Sequence, residues 1–259
     1  MAGMPQRENA QPLPFSLAAV PHAQVNTASA ATIFRGVNMK TVQKISIAII
    51  LLTFLAAIYA YPLLPEKVAS HWDANGNANG YMGRGFGAFF MPVLGILLFG
   101  LFYALPLLDP MKKNYSAFRA EYDNFTALMI AFMAYVYALT LASNLGYSFN
   151  LVQFLAPAFA ALIYYVGVLI GKTKRNWFVG VRTPWALSSE KVWDRTNAIA
   201  GKMFKAAGIV ALVGIVMPMA GLFASVAVIF ATAVFAVVYS YLEFQKEARA
   251  GMKGERKKR

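Results

Sequence analysis

Between Met203 and Leu242 the chain carries a single charged side chain, Lys205. A run of this length is about twice what one helix needs to cross the hydrocarbon core of a bilayer, roughly 20 mostly apolar residues. Only helices and closed barrels satisfy their own backbone polar groups where water is absent. Met217-Pro218-Met219-Ala220-Gly221 lies near the middle of the run, and proline followed by glycine is turn chemistry, so two spans are expected, 203–218 and 221–242. Four further stretches of span length precede them, at about 45–64, 86–108, 125–143 and 151–171. The sequence therefore predicts an all-α integral membrane helical bundle of six transmembrane helices. With 59% hydrophobic and 14% charged residues, against about 45–50% and about 25% in an ordinary soluble domain, it is too apolar for a water-soluble globule.

The position of the cations gives the orientation. All but two of the 24 Lys and Arg residues, Lys67 and Arg84, fall in the N-terminal segment, the second loop, the fourth loop or the tail. Cytoplasmic loops carry this excess, which places both termini in the cytoplasm and the protein in the plasma membrane as a multi-pass component. The formal net charge of +13 is then mainly a topology signal. It implies membrane lipid as a partner, through anionic head groups near the basic tail at 243–259. No aromatic-interleaved basic module suggests direct nucleic-acid binding.

Residues 1–38, rich in Ala, Pro, Gln and Asn without apolar periodicity, read as a disordered extension. Met39-Lys40-Thr41 ahead of the first apolar run reads as a second candidate start of translation, with 39–242 as the membrane domain. A cleaved secretory signal over 39–60 is the weaker reading, because Ile58 stands where cleavage needs a small residue. Cysteine is absent and histidine is limited to His22 and His71, so no disulfide, thiolate metal site or multi-histidine centre is expected and no cofactor is implied. The six apolar cores contain no Asp, Glu, His or Arg, which argues against ion-coupled transport. Gly167 and Gly171 form a small-residue pattern suited to close helix packing.

Two polar segments carry more specific chemistry. In the outer one Asp73, Asn75 and Asn77 imitate the first half of a calcium loop, but the acidic twelfth position is Arg84, so an Asn-Gly turn is the simpler expectation. His71 beside Trp72, with Glu66 and Asp73 nearby, reads as an interfacial residue, a pH sensor or a weak ligand. In the inner one, Thr183-Pro184 stops a helix before the proline, and Ser188 or Ser189 is suited to cap a short helix beginning near Glu190. Trp177, Trp185 and Trp193 are expected to bury the apolar side of this loop at the membrane surface. Arg182, Glu190 and Arg195 are then left for a polar network or a docking face. A small-molecule or lipid transporter, a membrane sensor, and an enzyme using His71 with Asp73 or Glu190 with Asp194 remain open on the residues alone.

The outer pattern LPxxVxxHWxxxGxxxGY, running from Leu64 to Tyr81, and the inner pattern NxFVGVRTPWxLSSExVWxRT, from Asn176 to Thr196, resemble the SdpI-like family of multi-pass bacterial immunity proteins. The resemblance covers about Met39 to Leu242. It implies a non-enzymatic protein that protects its cell from a secreted antimicrobial peptide outside and signals by holding a cytoplasmic repressor at the membrane. By motif match Pro65, His71, Trp72, Gly76, Gly80 and Tyr81 form the outer signature. Arg182, Thr183, Pro184, Trp185, Glu190, Val192, Trp193, Arg195 and Thr196 form the inner one. The chain departs from the family pattern at Asn79, where Asp is common, and at Asn197, where His is common.

Overall fold

A computed structural model of the chain describes residues 41–256. Helix α1 (Thr41–Ala60) runs through a 3-10 turn into an antiparallel hairpin, β1 (Lys67–Trp72) and β2 (Ala78–Gly83). There follow α2 (Arg84–Leu108), a 3-10 link (Lys112–Phe118), α3 (Arg119–Asn144), α4 (Leu151–Ile170), the short α5 (Pro184–Ser188) and α6 (Glu190–Ala211). A last 3-10 turn (Leu212–Ile215) leads to α7 (Pro218–Arg256). All helices but α5 are long and apolar enough to cross a membrane, and six such helices make up most of the described chain. The readings made for 1–38, including a start at Met39, lie outside the described residues.

Side-chain exposure follows the rule for lipid rather than for water. Leu52 is 63% and Phe230 68% exposed, and many other large apolar residues on the helices are similarly uncovered. An apolar surface of this extent on a water-soluble monomer would be an aggregation liability, whereas lipid tails solvate it. The interior is built from small and aromatic residues. Ala57, Ala60, Leu64, Val68, Ala88, Tyr137 and Leu141 form one cluster, in which the buried Tyr137 hydroxyl donates to the Ala88 carbonyl at 2.7 Å. Hydroxyls inside the bundle are satisfied locally: those of Ser46, Thr126, Thr140, Ser225 and Thr232 each donate to the carbonyl four residues back.

The most extensive helix pair is α4 with α6. Glycines make it possible. A Cβ on Gly167 would lie 2.5 Å from the Gly201 carbonyl oxygen and 2.6 Å from the Lys205 backbone nitrogen, so the two backbones touch with no room for a side chain. Gly208 meets the Ala160 carbonyl oxygen and the Tyr164 nitrogen in the same way. Helix α7 packs on α6, α1 packs on α2 and α3, and α3 against α4 joins the two groups.

Because the long helices alternate in direction, the links fall into two sets. One end of the bundle carries the β1–β2 hairpin; the other carries the α2–α3 link, the α4–α6 segment and the polar end of α7. These are called the hairpin face and the basic face below. Two elements differ from their sequence reading. The helix beginning at Glu190 is continuous with the fifth span, and the last helix runs to Arg256, well past the apolar stretch that ends at Leu242.

Candidate functional site

On the basic face the segment between α4 and α6 folds back on itself around side chains that close its backbone hydrogen bonds. Fully buried Asn176 uses its whole carboxamide: Nδ2 donates to the carbonyls of Lys174 and Val179, and Oδ1 accepts from the amides of Phe178 and Val179. Gly180 then turns the chain with φ +112°, a conformation that L side chains rarely adopt. A Cβ there would lie 2.6 Å from Asn197 Oδ1 and 3.2 Å from the Trp193 ring. Thr183 caps α5 by accepting from the Ala186 amide, with Pro184 at the first helical position. Ser189 caps α6 by accepting from Val192.

The centre of this platform is Trp193, which is 0% exposed. Its indole Nε1 donates to the Thr173 carbonyl at 3.0 Å. One turn on, Asn197 accepts from the Val181 amide at 2.7 Å and donates to the Trp193 carbonyl at 3.1 Å. Neighbouring links are stapled on. Asp109, at the end of α2, accepts from the amides of Met111 and Trp177, and Asn114 donates to the Arg175 carbonyl. The polar end of α7 is clasped to α6: Glu243 lies 2.6 Å from Arg195 and 2.7 Å from Lys246, and Ser189 donates to Glu247 at 2.6 Å. Thr183 and Ser240 join their hydroxyls at 2.8 Å, and Trp185 packs edge-on against Tyr241.

Two expectations for the inner segment are corrected by this geometry. Trp193 is a plug inside the protein and not a membrane-surface residue, since the indole finds its hydrogen-bond partner in the chain itself. Only Trp177 is half exposed. Nor do Arg182, Glu190 and Arg195 form one network. Arg182 donates to the Trp177 carbonyl, Glu190 faces Arg175 at 3.6 Å, and Arg195 reaches Glu243. Asp194 pairs with Lys174 instead of meeting Glu190. Thr196 is fully buried beside this framework.

On the hairpin face a five-residue turn connects β1 and β2. Asp73 Oδ1 accepts from the amides of Asn75 and Asn77, both at 2.9 Å, and Gly76 adopts φ +85°. Those hydrogen bonds, the Asn77 amide foremost, hold the Asp73 carboxyl below its ordinary value. The carboxylate thus organises a turn of its own backbone. The hairpin is tied to the bundle at three places. Val68 is buried against Gly87 of α2. Asn144 at the end of α3 accepts from the Ala69 amide and donates to its carbonyl, completing the exposed edge of β1 as a neighbouring strand would. Asn150, the cap of α4, donates to the Asn75 carbonyl.

These ties leave one surface of the hairpin open. His71 is exposed, with Nδ1 donating to Asn79 Oδ1 at 2.5 Å, and Gly80 is flat against the His71 Cβ. Tyr81 is 60% exposed, while Trp72 is partly covered. Pro65 accepts weakly from Arg84 at 3.5 Å where the hairpin begins. The structure brings His71, Gly80 and Asn79 together and directs Asp73 into the turn, so His71 and Asp73 make no pair. Among the described residues no group of three or more metal-binding side chains occurs.

Residues to which the sequence assigns no role hold both sites in place: Asp109, Asn114, Asn150, Ser240, Glu243 and Glu247, with Asn176, which stood out only as the first residue of the inner pattern. Each acts on a segment distant in the chain or on backbone groups, for which a single sequence carries no periodic signal.

Fold and sites define a multi-pass helical membrane protein with a hairpin at one face and a packed signature platform at the other. The comparisons with known proteins fall on these same two places. Residues 172–240 match the SdpI/YfhL protein family, and residues 48–96 match a domain family of unknown function, DUF1648. Immunity protein SdpI of Bacillus subtilis (strain 168) is 28% identical over 166 residues, which cover 64% of this chain and 77% of that protein. No solved structure matches. Over residues 172–240 the chain is similar to the SdpI/YfhL protein family, and its six long apolar helices make it a multi-pass protein of the plasma membrane.

Proposed function

We propose that this chain is an immunity protein, which meets a secreted antimicrobial peptide at the hairpin face and shields the bilayer from it. The observation that carries this reading is mechanical. Asn150 both caps α4 and holds the hairpin turn, and α4 runs from there to its backbone contact with α6, whose first turns carry Glu190 to Thr196 of the inner signature. A peptide that binds the open surface around His71 and Tyr81 therefore acts on a tethered element in direct contact with the bundle. Such binding shifts the protein only through different affinities for two arrangements. With the basic face in the cytoplasm, the exposed side of α6 at Glu190, Lys191, Asp194 and Arg195 is the docking surface for a repressor. Trp193 serves from inside as its support.

Survival of a sensitive host tests the first part. Cells expressing the chain are challenged with the antimicrobial peptide and are expected to outlive the control, and Asn150→Ala or Tyr81→Ala is expected to reduce that margin. Unchanged killing despite confirmed membrane expression rejects immunity. For the second part, Lys191→Ala with Arg195→Ala is expected to abolish co-purification of the repressor, and retention of the partner rejects this docking surface.

A further inference from the structure

A groove of about 580 Å³ opens between the platform, the end of α4 and interior turns of α6 and α7. That volume lies within the usual range for a bound organic molecule, roughly 300–1,000 Å³. Its composition changes along its length. Ile170, Phe204, Ala233, Ala236 and Val237 line one part and belong to the apolar spans, while Arg182 and Trp177 line the other and belong to the polar segment. The groove thus crosses the boundary between hydrocarbon and head groups.

Arg182 is exposed at its polar end and among the described residues has one hydrogen bond, from Nη1 to the Trp177 carbonyl at 2.7 Å. That bond fixes the guanidinium beside the groove and leaves Nε and Nη2 to donate. No carboxylate forms an ion pair with Arg182 among the described residues. The side chain of the half-exposed Trp177 next to it has the amphipathic ring typical of the head-group layer. An unneutralised, oriented guanidinium above an apolar slot suits an oxyanion attached to an acyl chain, and in a bilayer that group is foremost the phosphate ester of a phospholipid.

We propose that this groove is a binding site for an anionic phospholipid, with the phosphate on Arg182 and an acyl chain along Phe204, Ala233 and Val237. The site is independent of the immunity reading. A bilayer surrounds these helices in any case; what the groove adds is selection of an anionic lipid over a zwitterionic one at this position.

The test uses the full chain in phosphatidylcholine nanodiscs doped with a minor fraction of bromine-labelled lipid, either phosphatidylglycerol or phosphatidylcholine. Quenching at Trp177 is taken as the difference between the protein and Trp177→Phe. Brominated phosphatidylglycerol is expected to be enriched roughly fivefold over brominated phosphatidylcholine, the effect of one cation near an anionic lipid. Arg182→Gln is expected to remove this excess, Arg182→Lys to keep most of it, and Ala233→Phe, which fills the slot without touching the charge, to diminish it. If Arg182→Gln does not fold, the lysine and phenylalanine variants decide. Equal quenching by the two labelled lipids overturns the proposal, since the groove then holds bulk lipid or protein without selection. An undiminished excess in folded Arg182→Gln or Ala233→Phe also overturns it.

Discussion

The carboxamide of Asn197 joins three pieces of backbone at the basic face, since it accepts the Val181 amide and donates to the carbonyl one turn earlier in its own helix while lying against the Gly180 bend. Only a side chain with both a donor and an acceptor at this reach serves all three. Asn197→Ala leaves the Val181 amide without its partner, at a cost of about 1–3 kcal/mol. The expected readout is a lowered thermal midpoint in detergent, and an unchanged midpoint contradicts the assigned role. Asp73 plays the corresponding part at the hairpin face with a charge. Its carboxyl is held low by the amides it accepts, so the contribution is fully present above the ordinary carboxylate value. It is lost as pH falls through the lowered value. Amide resonances of Asn75 and Asn77, followed against pH, should therefore stay constant from neutrality through the ordinary carboxylate range and move only below it, and Asp73→Asn should remove the transition. Movement centred at the ordinary value would show that the turn does not hold the carboxylate.

At the scale of elements, α4 and α6 depend on the absence of side chains at their crossing. Gly167→Ala places a methyl against the Gly201 carbonyl and the Lys205 nitrogen, where backbone must shift to admit it. Overpacking of this kind costs about 1–3 kcal/mol; a loss of stability in detergent is expected from Gly167→Ala and none from Gly100→Ala, where a Cβ meets nothing beyond the ordinary helix preference. Six helices were legible in the sequence because a bilayer demands long apolar runs. The first half of α6 was legible only as a capped start near Glu190, because its charged residues Lys191, Asp194, Arg195 and Lys202 face outward while Trp193, Thr196, Asn197 and Gly201 are inward, which lowers its hydropathy without ending the helix. The β-hairpin was invisible for a different reason. Its short strands gain their place from Asn144, 75 residues beyond Ala69, and from a glycine in α2 that admits Val68. Glu243 read as the start of a basic tail because its partner, Arg195, lies 48 residues away in sequence.

For the whole molecule, the immunity proposal, the repressor-docking surface and the side of the membrane on which a lipid would be selected all depend on which face is outside. The distribution of cations is the ground for expecting the hairpin face outside and the platform inside. The two signatures lie within the segments that match known families, 48–96 and 172–240, and the fold carries them on opposite faces of one bundle. The chain has no cysteine of its own, so single introduced thiols report location without background. Asn75→Cys at the hairpin turn and Ser188→Cys in the platform, both on exposed residues, are treated in intact cells with a membrane-impermeant maleimide. The expected result is labelling at position 75 before permeabilisation and at position 188 only after it. Labelling of position 188 in intact cells, with position 75 protected, would contradict the orientation on which this account of the protein rests.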